Sequence, residues 1–226
     1  MVTTSNPPEH PTTLTREILA PAVVVVIGAI MTVLDATIVN VAIPTLGHDL
    51  NASIASIQWV PSVYLLAFAS VIPLSGWAAA RFGAKRVWLT SLVTFMAGSL
   101  LAGLSPSIGV LIACRVVQGL GAGMIMPLGQ AMLARVAGPQ RMGRVMSVIG
   151  VPLLLAPIFG PLIGGALVQA ASWRWIFFVN LPVGAAALAL ALWLLPDTPR
   201  RPGPGRPASR SARRSTETAR LAASRS

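Results

Sequence analysis

Six stretches of this chain are apolar for long enough to cross a bilayer, and most of its charged residues fall between them or beyond them. The first runs from Ile18 to Ile43 and is broken only by Asp35 and a few small polar side chains. It exceeds the roughly 20 residues that a span requires. It is also too long for a signal-peptide core, and no convincing cleavage site accompanies it, so it is predicted to remain as the first helix. The other apolar runs cover about 57–79, 87–104, 108–132, 145–168 and 176–195. The pattern predicts an all-α membrane protein. Six transmembrane helices would form one bundle over residues 18–196, between an N-terminal arm (1–17) and a C-terminal tail (197–226).

Composition closes off the soluble alternatives. With 54% hydrophobic and 10% charged residues and a mean hydropathy of +0.74, the chain is too apolar to fold as one soluble domain. The formal net charge of +11 raises the question of nucleic acid. However, the basic residues sit in short loops and in the tail, not on a domain face, so nucleic-acid binding is not expected. Arg16, then Arg81, Lys85 and Arg86, then Arg135, Arg141 and Arg144, and finally eight arginines after the sixth run all alternate onto one side. The opposite loops hold only Arg174. By the positive-inside rule both termini are cytoplasmic, in a multi-pass protein of the plasma (inner) membrane. The tryptophans are expected at the two interfaces, with Trp59, Trp173 and Trp175 outside and Trp77, Trp88 and Trp193 inside. Cys114 is the single cysteine, which excludes an internal disulfide, and no Cys/His cluster suggests a metal.

The two ends read differently from the middle. The polar arm contains Pro7, Pro8 and Pro11 and is expected to be disordered. The tail is rich in Pro, Arg, Ser, Gly and Ala with a single leucine, so it has nothing to insert or to build a core with. One reading makes it a polybasic segment held to anionic lipid. The other makes it the product of a reading frame shifted just after the sixth helix, without an evolved role.

Few residues carry chemistry. Asp35 lies within an apolar span, where an ionised carboxylate costs several kcal/mol unless paired, hydrated or protonated. Thr32 and Gly28 share its helical face, whereas Asn40 points elsewhere. Arg115 opens the fourth helix in the run RVVQGLGAG, with Gln118 nearby and Gly119, Gly123 and Pro127 on its own row. That row leaves room for water or another backbone, and the arginine needs an anionic or carbonyl partner. Asp35 is one such partner. Two buried charges, each opening a three-helix set, also agree with a faint internal repeat.

On the fifth helix, GVPLLLAPIFGPLIGG (residues 150–165) tolerates three prolines only because neighbouring groups in lipid satisfy the freed carbonyls. Four-residue spacing puts Ala156, Gly160 and Gly164 in one row and Pro157, Pro161 and Gly165 in the next. The result is a strip almost free of side chains, expected to meet a matching surface that this polypeptide does not supply. Burial of Gly160 and Gly164 among the chain's own spans would overturn the reading of the chain as half of a rocking carrier.

Five motifs in order resemble those of the major facilitator superfamily, in its 14-helix drug:proton antiporter branch. LDATIVNVAIPTL (34–46) resembles the first-helix motif, with Asp35, Thr37, Asn40 and Pro44 in place. GWAAARFGAKR (76–86) resembles the loop between helices two and three through Gly76, Arg81, Gly83, Lys85 and Arg86, although Ala80 and Ala84 replace an acid and a base. RVVQGLGAG resembles the fourth-helix motif to which proton transfer is assigned. Gly150, Pro157, Gly160, Pro161, Gly164 and Gly165 fall on the fifth-helix antiporter motif, and WRWIFFVNLPVG (173–184) resembles the start of helix six. From its residues alone this last stretch is an interface anchor, in which Asn180 bonds locally.

The resemblance implies the amino-terminal bundle of an exporter working by alternating access. A proton taken up by Asp35, with Arg115, Gln118 and Asn40 as further proton-coupling or substrate residues, would drive efflux of an amphiphilic, often cationic compound. The energy source would be the proton gradient, with no cofactor or metal. No nucleophile, nucleotide motif or phosphate loop points to an enzyme. Within these residues no second bundle follows. The expectation is therefore a truncated exporter that is inactive alone, or a half-transporter completed by a second bundle or a homodimer mate along helix five. The reading from a different class is a non-transporting membrane partner or anchor with a basic cytoplasmic tail.

Overall fold

A computed structural model describes residues 16–194. Residues 1–15 of the N-terminal arm and the whole tail, with the two readings of the latter, lie outside the described residues, while residues 16–17 of the arm already belong to the first helix. α1 spans Arg16–Asp49, α2 Ile54–Phe82, α3 Ala84–Gly103, α4 Ile108–Ala137 and α5 Pro139–Ala170. The short α6 (Trp175–Phe178) and α7 (Asn180–Leu194) together make the sixth span. Among the described residues six helical segments are thus long and apolar enough to cross a membrane. Most ends fall within three residues of the apolar run that announced them, but α1 and α4 run on past theirs to Asp49 and Ala137 and α5 starts earlier, at Pro139.

The turns explain the ends of the helices. Ser53 and Ser107 cap α2 and α4, their hydroxyls accepting the N–H of Ser56 and Val110. At the other end of the bundle single glycines make the turn. Gly83 (φ 93°) joins α2 to α3 and Gly138 (φ 72°) joins α4 to α5, in backbone regions where a side chain is strained. Their N–H groups close onto Ala79 and Ala134. Prolines 21, 44, 61, 73, 127, 152, 157 and 161 all lie inside helices. A bilayer-spanning bundle accepts them because neighbouring groups can satisfy the released carbonyls.

α4 packs against both α2 and α3, while α1 packs chiefly on α5 and α7. Glycines permit the close approaches. A Cβ at Gly119 or Gly123 would meet the α2 carbonyls of Tyr64 or Phe68, and one at Gly98 would lie 2.8 Å from the Gln118 nitrogen.

Two tryptophans are not where residue type alone places them. Trp88 is fully buried, and its indole N–H donates to the Ile125 carbonyl at 3.1 Å. Trp173 is also fully buried, edge-on to Phe177, with the Arg174 guanidinium 4.4 Å from its ring centre. Both fill the bundle and so cannot anchor it to headgroups. Trp59, Trp77, Trp175 and Trp193 are exposed, as interfacial anchors require.

The strip on α5 also differs from expectation. Its first row, Ala156, Gly160 and Gly164, is buried. A Cβ at Gly160 would collide with the Thr37 hydroxyl, and one at Gly164 would lie 2.8 Å from the Ile38 side chain. The matching surface for this row is therefore α1 of the same chain. Periodicity reveals a bare face without saying which neighbour fills it. The second row is partly open, with Pro157 and Pro161 exposed beside Leu154, Ile158 and Leu162.

Candidate functional site

Five of the six spans contribute to one buried polar cluster, and only α5 stands outside it. Its centre is the Asp35 carboxylate on α1, which is fully buried. Arg115 of α4 donates from Nη1 to Oδ2 at 2.5 Å. Gln118, one turn further along α4, donates from Nε2 to Oδ1 at 2.7 Å. Asn180, at the start of α7, donates from Nδ2 to the same oxygen, also at 2.7 Å.

The arginine is held on its other sides as well. Its Nη1 reaches the Gln118 amide oxygen at 2.8 Å and its Nε the Val60 carbonyl at 3.3 Å. The guanidinium carbon lies 4.1 Å from the centre of the Tyr64 ring, and the Tyr64 hydroxyl donates to the Thr32 carbonyl at 3.0 Å. Nη2 has no hydrogen-bond partner. It shares the guanidinium that lies against the Tyr64 π-face, a weak compensation for an unpaired donor.

A second tier runs through Ser99 of α3. Its hydroxyl accepts from Asn180 at 3.0 Å and from Gln118 at 3.2 Å, and donates to the Phe177 carbonyl at 2.9 Å. The acceptor lies beside the interruption at Val179 between α6 and α7. Pro182 adds to that interruption, because it has no N–H to offer the Phe178 carbonyl one turn back.

An ionised carboxylate only accepts, and this one faces three donors. Adding a proton turns one lone pair into a donor that faces other donors, so the cluster must re-pair. Beside it lies a cavity of about 170 Å³ whose walls include Thr32, Val33, Tyr64, Phe68, Met126 and Leu153. Tyr64 thus touches both the buried charge pair and the wall of an almost wholly apolar recess.

The sequence-predicted residues divide clearly. Asp35, Arg115 and Gln118 meet. Asn40 lies outside the cluster and is exposed. Of the fifth-helix motif, Gly160 and Gly164 seat α1, Gly165 lies 3.9 Å from Val41 by its notional Cβ, and Gly150 faces open space. In the loop motif Gly83 makes the turn, Arg81 and Arg86 are exposed, Lys85 is half-buried, and Gly76 has no neighbour that excludes a side chain. Among the described residues no cluster has the makings of a metal site.

Three participants were missed: Tyr64, Ser99 and Asn180. Asn180 had been assigned to local bonding, yet it reaches Asp35 from 145 positions away. The signal available for it was an amide inside an apolar span, a feature that marks functional sites by default.

Residues 25–225 match the family description "Major Facilitator Superfamily". The chain is 48% identical over 187 residues to a Multidrug resistance protein B homolog of Mycobacterium tuberculosis, covering 83% of this chain and 35% of that protein. It is 40% identical over 169 residues to the Multidrug export protein EmrB of Haemophilus influenzae, covering 75% and 33%. The inward-open xylose transporter XylE from E. coli shares the fold at a TM-score of 0.67 and 18% identity, over 81% of this chain and 49% of that one. The chain therefore spans about a third of the length of these curated relatives.

Proposed function

Since the chain belongs to the Major Facilitator Superfamily, a family of multi-pass membrane transporters and not of enzymes, we propose that it is the six-helix bundle that carries the proton-coupling site of a drug-type exporter. The cargo would be amphiphilic small molecules, and the proton gradient would be the energy source. The observation that carries this reading is the Asp35 carboxylate, fully buried and gripped by Arg115, Gln118 and Asn180 at the edge of an apolar recess.

A carrier is driven only by something that binds its two states differently. Protonation of Asp35 supplies such a difference. With the carboxylate charged, α1 is tied to α4 and α7 by three bonds. With it neutral, Arg115 loses its counter-charge and the amides of Gln118 and Asn180 must find other acceptors. Each state therefore favours a different packing of the same helices, as alternating access requires. The cargo's class is supported by the apolar cavity wall and by the multidrug names of the relatives. Asn40, exposed on α1, fits a role toward cargo or toward a second bundle better than one toward the proton.

The exposed row at Pro157 and Pro161 supports a second six-helix bundle, or a second copy of this chain, as the partner that completes the pathway. The arginines at the end that holds Gly83 and Gly138 support a plasma-membrane orientation with that end cytoplasmic. Expression in a host lacking its major pumps, loaded with a cationic dye, tests the function. Proton-dependent efflux that disappears in Asp35→Asn is expected. No such efflux from this chain alone rules out a second copy as the partner that completes the pathway, and efflux unchanged in Asp35→Asn overturns Asp35 as the coupling site.

A further inference from the structure

Asn180 does more geometrically than complete a shell around a carboxylate. Its Nδ2 bridges Asp35 Oδ1 and Ser99 Oγ, at 2.7 and 3.0 Å, and Asn180 itself is 3% exposed. Ser99 passes the contact on by donating to the Phe177 carbonyl at 2.9 Å. Asn180 is also the first residue of α7, immediately after the interruption at Val179. The chain of contacts therefore leads from a charge on α1 to the place where the sixth span is least continuous. Packing is close on the α3 side: a Cβ at Gly98, beside Ser99, would lie 2.8 Å from the Gln118 backbone nitrogen, and one at Gly184, one turn beyond Asn180, 2.7 Å from Met96. With so little free volume, a loss of one bond cannot be absorbed by a small side-chain shift.

We propose that Asn180 is the positioning residue through which the charge on Asp35 sets the conformation of the sixth helix at its interruption, with Ser99 as the relay. This rests on the reading of Asp35 as the coupling acid, but it concerns the link to helix six and not transport itself. A charged Asp35 holds Asn180, which keeps Ser99 turned toward Phe177 and pins the interruption to α3. Loss of the charge frees this amide and also that of Gln118, the other donor to Ser99 at 3.2 Å and likewise held by Asp35, so neither donor still fixes the hydroxyl. The sixth span then gains freedom at Val179 while the rest of α7 stays packed.

The test is backbone hydrogen exchange of the full chain in lipid nanodiscs, followed by mass spectrometry of peptides covering residues 175–185. Asp35→Asn removes the charge and keeps the shape, and Asn180→Leu removes the amide at similar volume. Each is expected to raise exchange of these peptides about tenfold, the usual order for a lost bond to a charged group. The double variant is expected to match either single change, because both cut one linkage. Ser99→Ala breaks only the relay. It is expected to raise exchange likewise and to abolish the response to Asp35→Asn, and it decides the matter if Asn180→Leu does not fold. The proposal is overturned if Asp35→Asn leaves these peptides unchanged, or if the two changes multiply to about a hundredfold, which is the behaviour of a side chain that only fills space. Absence of dye efflux in the host would refute transport by copies of this chain alone while leaving this exchange pattern as it stands.

Discussion

The contact between α1 and α5 makes a demanding prediction, because the sign of a rescue can be worked out from geometry. An added methyl at Gly160 would collide with the Thr37 hydroxyl and would also lie 2.9 Å from Thr37 Cβ. That hydroxyl is not free to swing away, since it donates to the Val33 and Leu34 carbonyls at 3.2 and 3.0 Å. Overpacking of this kind costs about 1–3 kcal/mol. Gly160→Ala should thus lower the folding equilibrium by about 5- to 160-fold. Thr37→Ala removes the colliding oxygen but keeps Cβ, so the double variant should recover part of the loss, with a coupling of at least about 0.5 kcal/mol. Gly123→Ala is the contrast. Its methyl would meet the Phe68 carbonyl, and no side-chain truncation at position 68 removes a backbone oxygen. Gly123→Ala should therefore destabilise by a similar or larger amount, and Phe68→Ala should not rescue it. Reversible unfolding in mixed micelles, read by circular dichroism, measures all of these. A Gly160→Ala protein as stable as the parent, or additive effects of Gly160→Ala and Thr37→Ala, would refute the close seating of α1 on this row.

Other outcomes follow from the same structure. Arg115→Leu leaves the Asp35 charge buried without its partner, a loss of about 3–5 kcal/mol, and should abolish monodisperse protein in size-exclusion chromatography. Asp35→Asn also unpairs a buried charge, but Arg115 keeps its bonds to Gln118 and Val60 and faces an amide of the same shape, so its loss should be smaller. Gly83→Ala forces a side chain into φ 93° and should cost about 1–2 kcal/mol in the same unfolding assay, while Gly76→Ala, with nothing within 4 Å of its notional Cβ, should be neutral. For sidedness, cysteines placed at Ser107 and Gln140 in a Cys114→Ala background should react with a membrane-impermeant maleimide from opposite faces of a sealed vesicle, Gln140 from the cytoplasmic one.

The spans were legible because hydropathy over some 20 residues is a property of sequence alone, and a bilayer selects for it without regard to packing. The site was half legible for the same reason. Asp35 and Arg115 stand out because a charge in an apolar run is costly wherever it ends up. Their meeting was not written in either run. Asn180 was harder still, because an amide beside two tryptophans reads as an interfacial residue until the fold shows α6 and α7 turning inward. Trp88 and Trp173 taught the converse, since residue type places a tryptophan at a boundary while packing decides whether it stays there. On α5, the spacing of Gly160 and Gly164 disclosed a surface that needs a neighbour, and α1 turned out to be that neighbour. By the sequence reading, burial of Gly160 and Gly164 within the bundle would overturn the identification as half of a rocking carrier; both are buried and residues 25–225 match the family all the same, so the strip was the wrong feature to rest it on.

The two single-glycine turns, Gly83 and Gly138, lie at the arginine-rich end, while several residues separate successive helices at the opposite end, at 50–53, 104–107 and 171–174. The bundle is therefore short-hinged at one rim and slack at the other. Epitope tags or reporter insertions belong at the slack rim, near Asn51 or Pro106, where extra length adds little beyond loop entropy. A few residues inserted at Gly83 or Gly138 would unfasten two neighbouring spans from each other at their common corner.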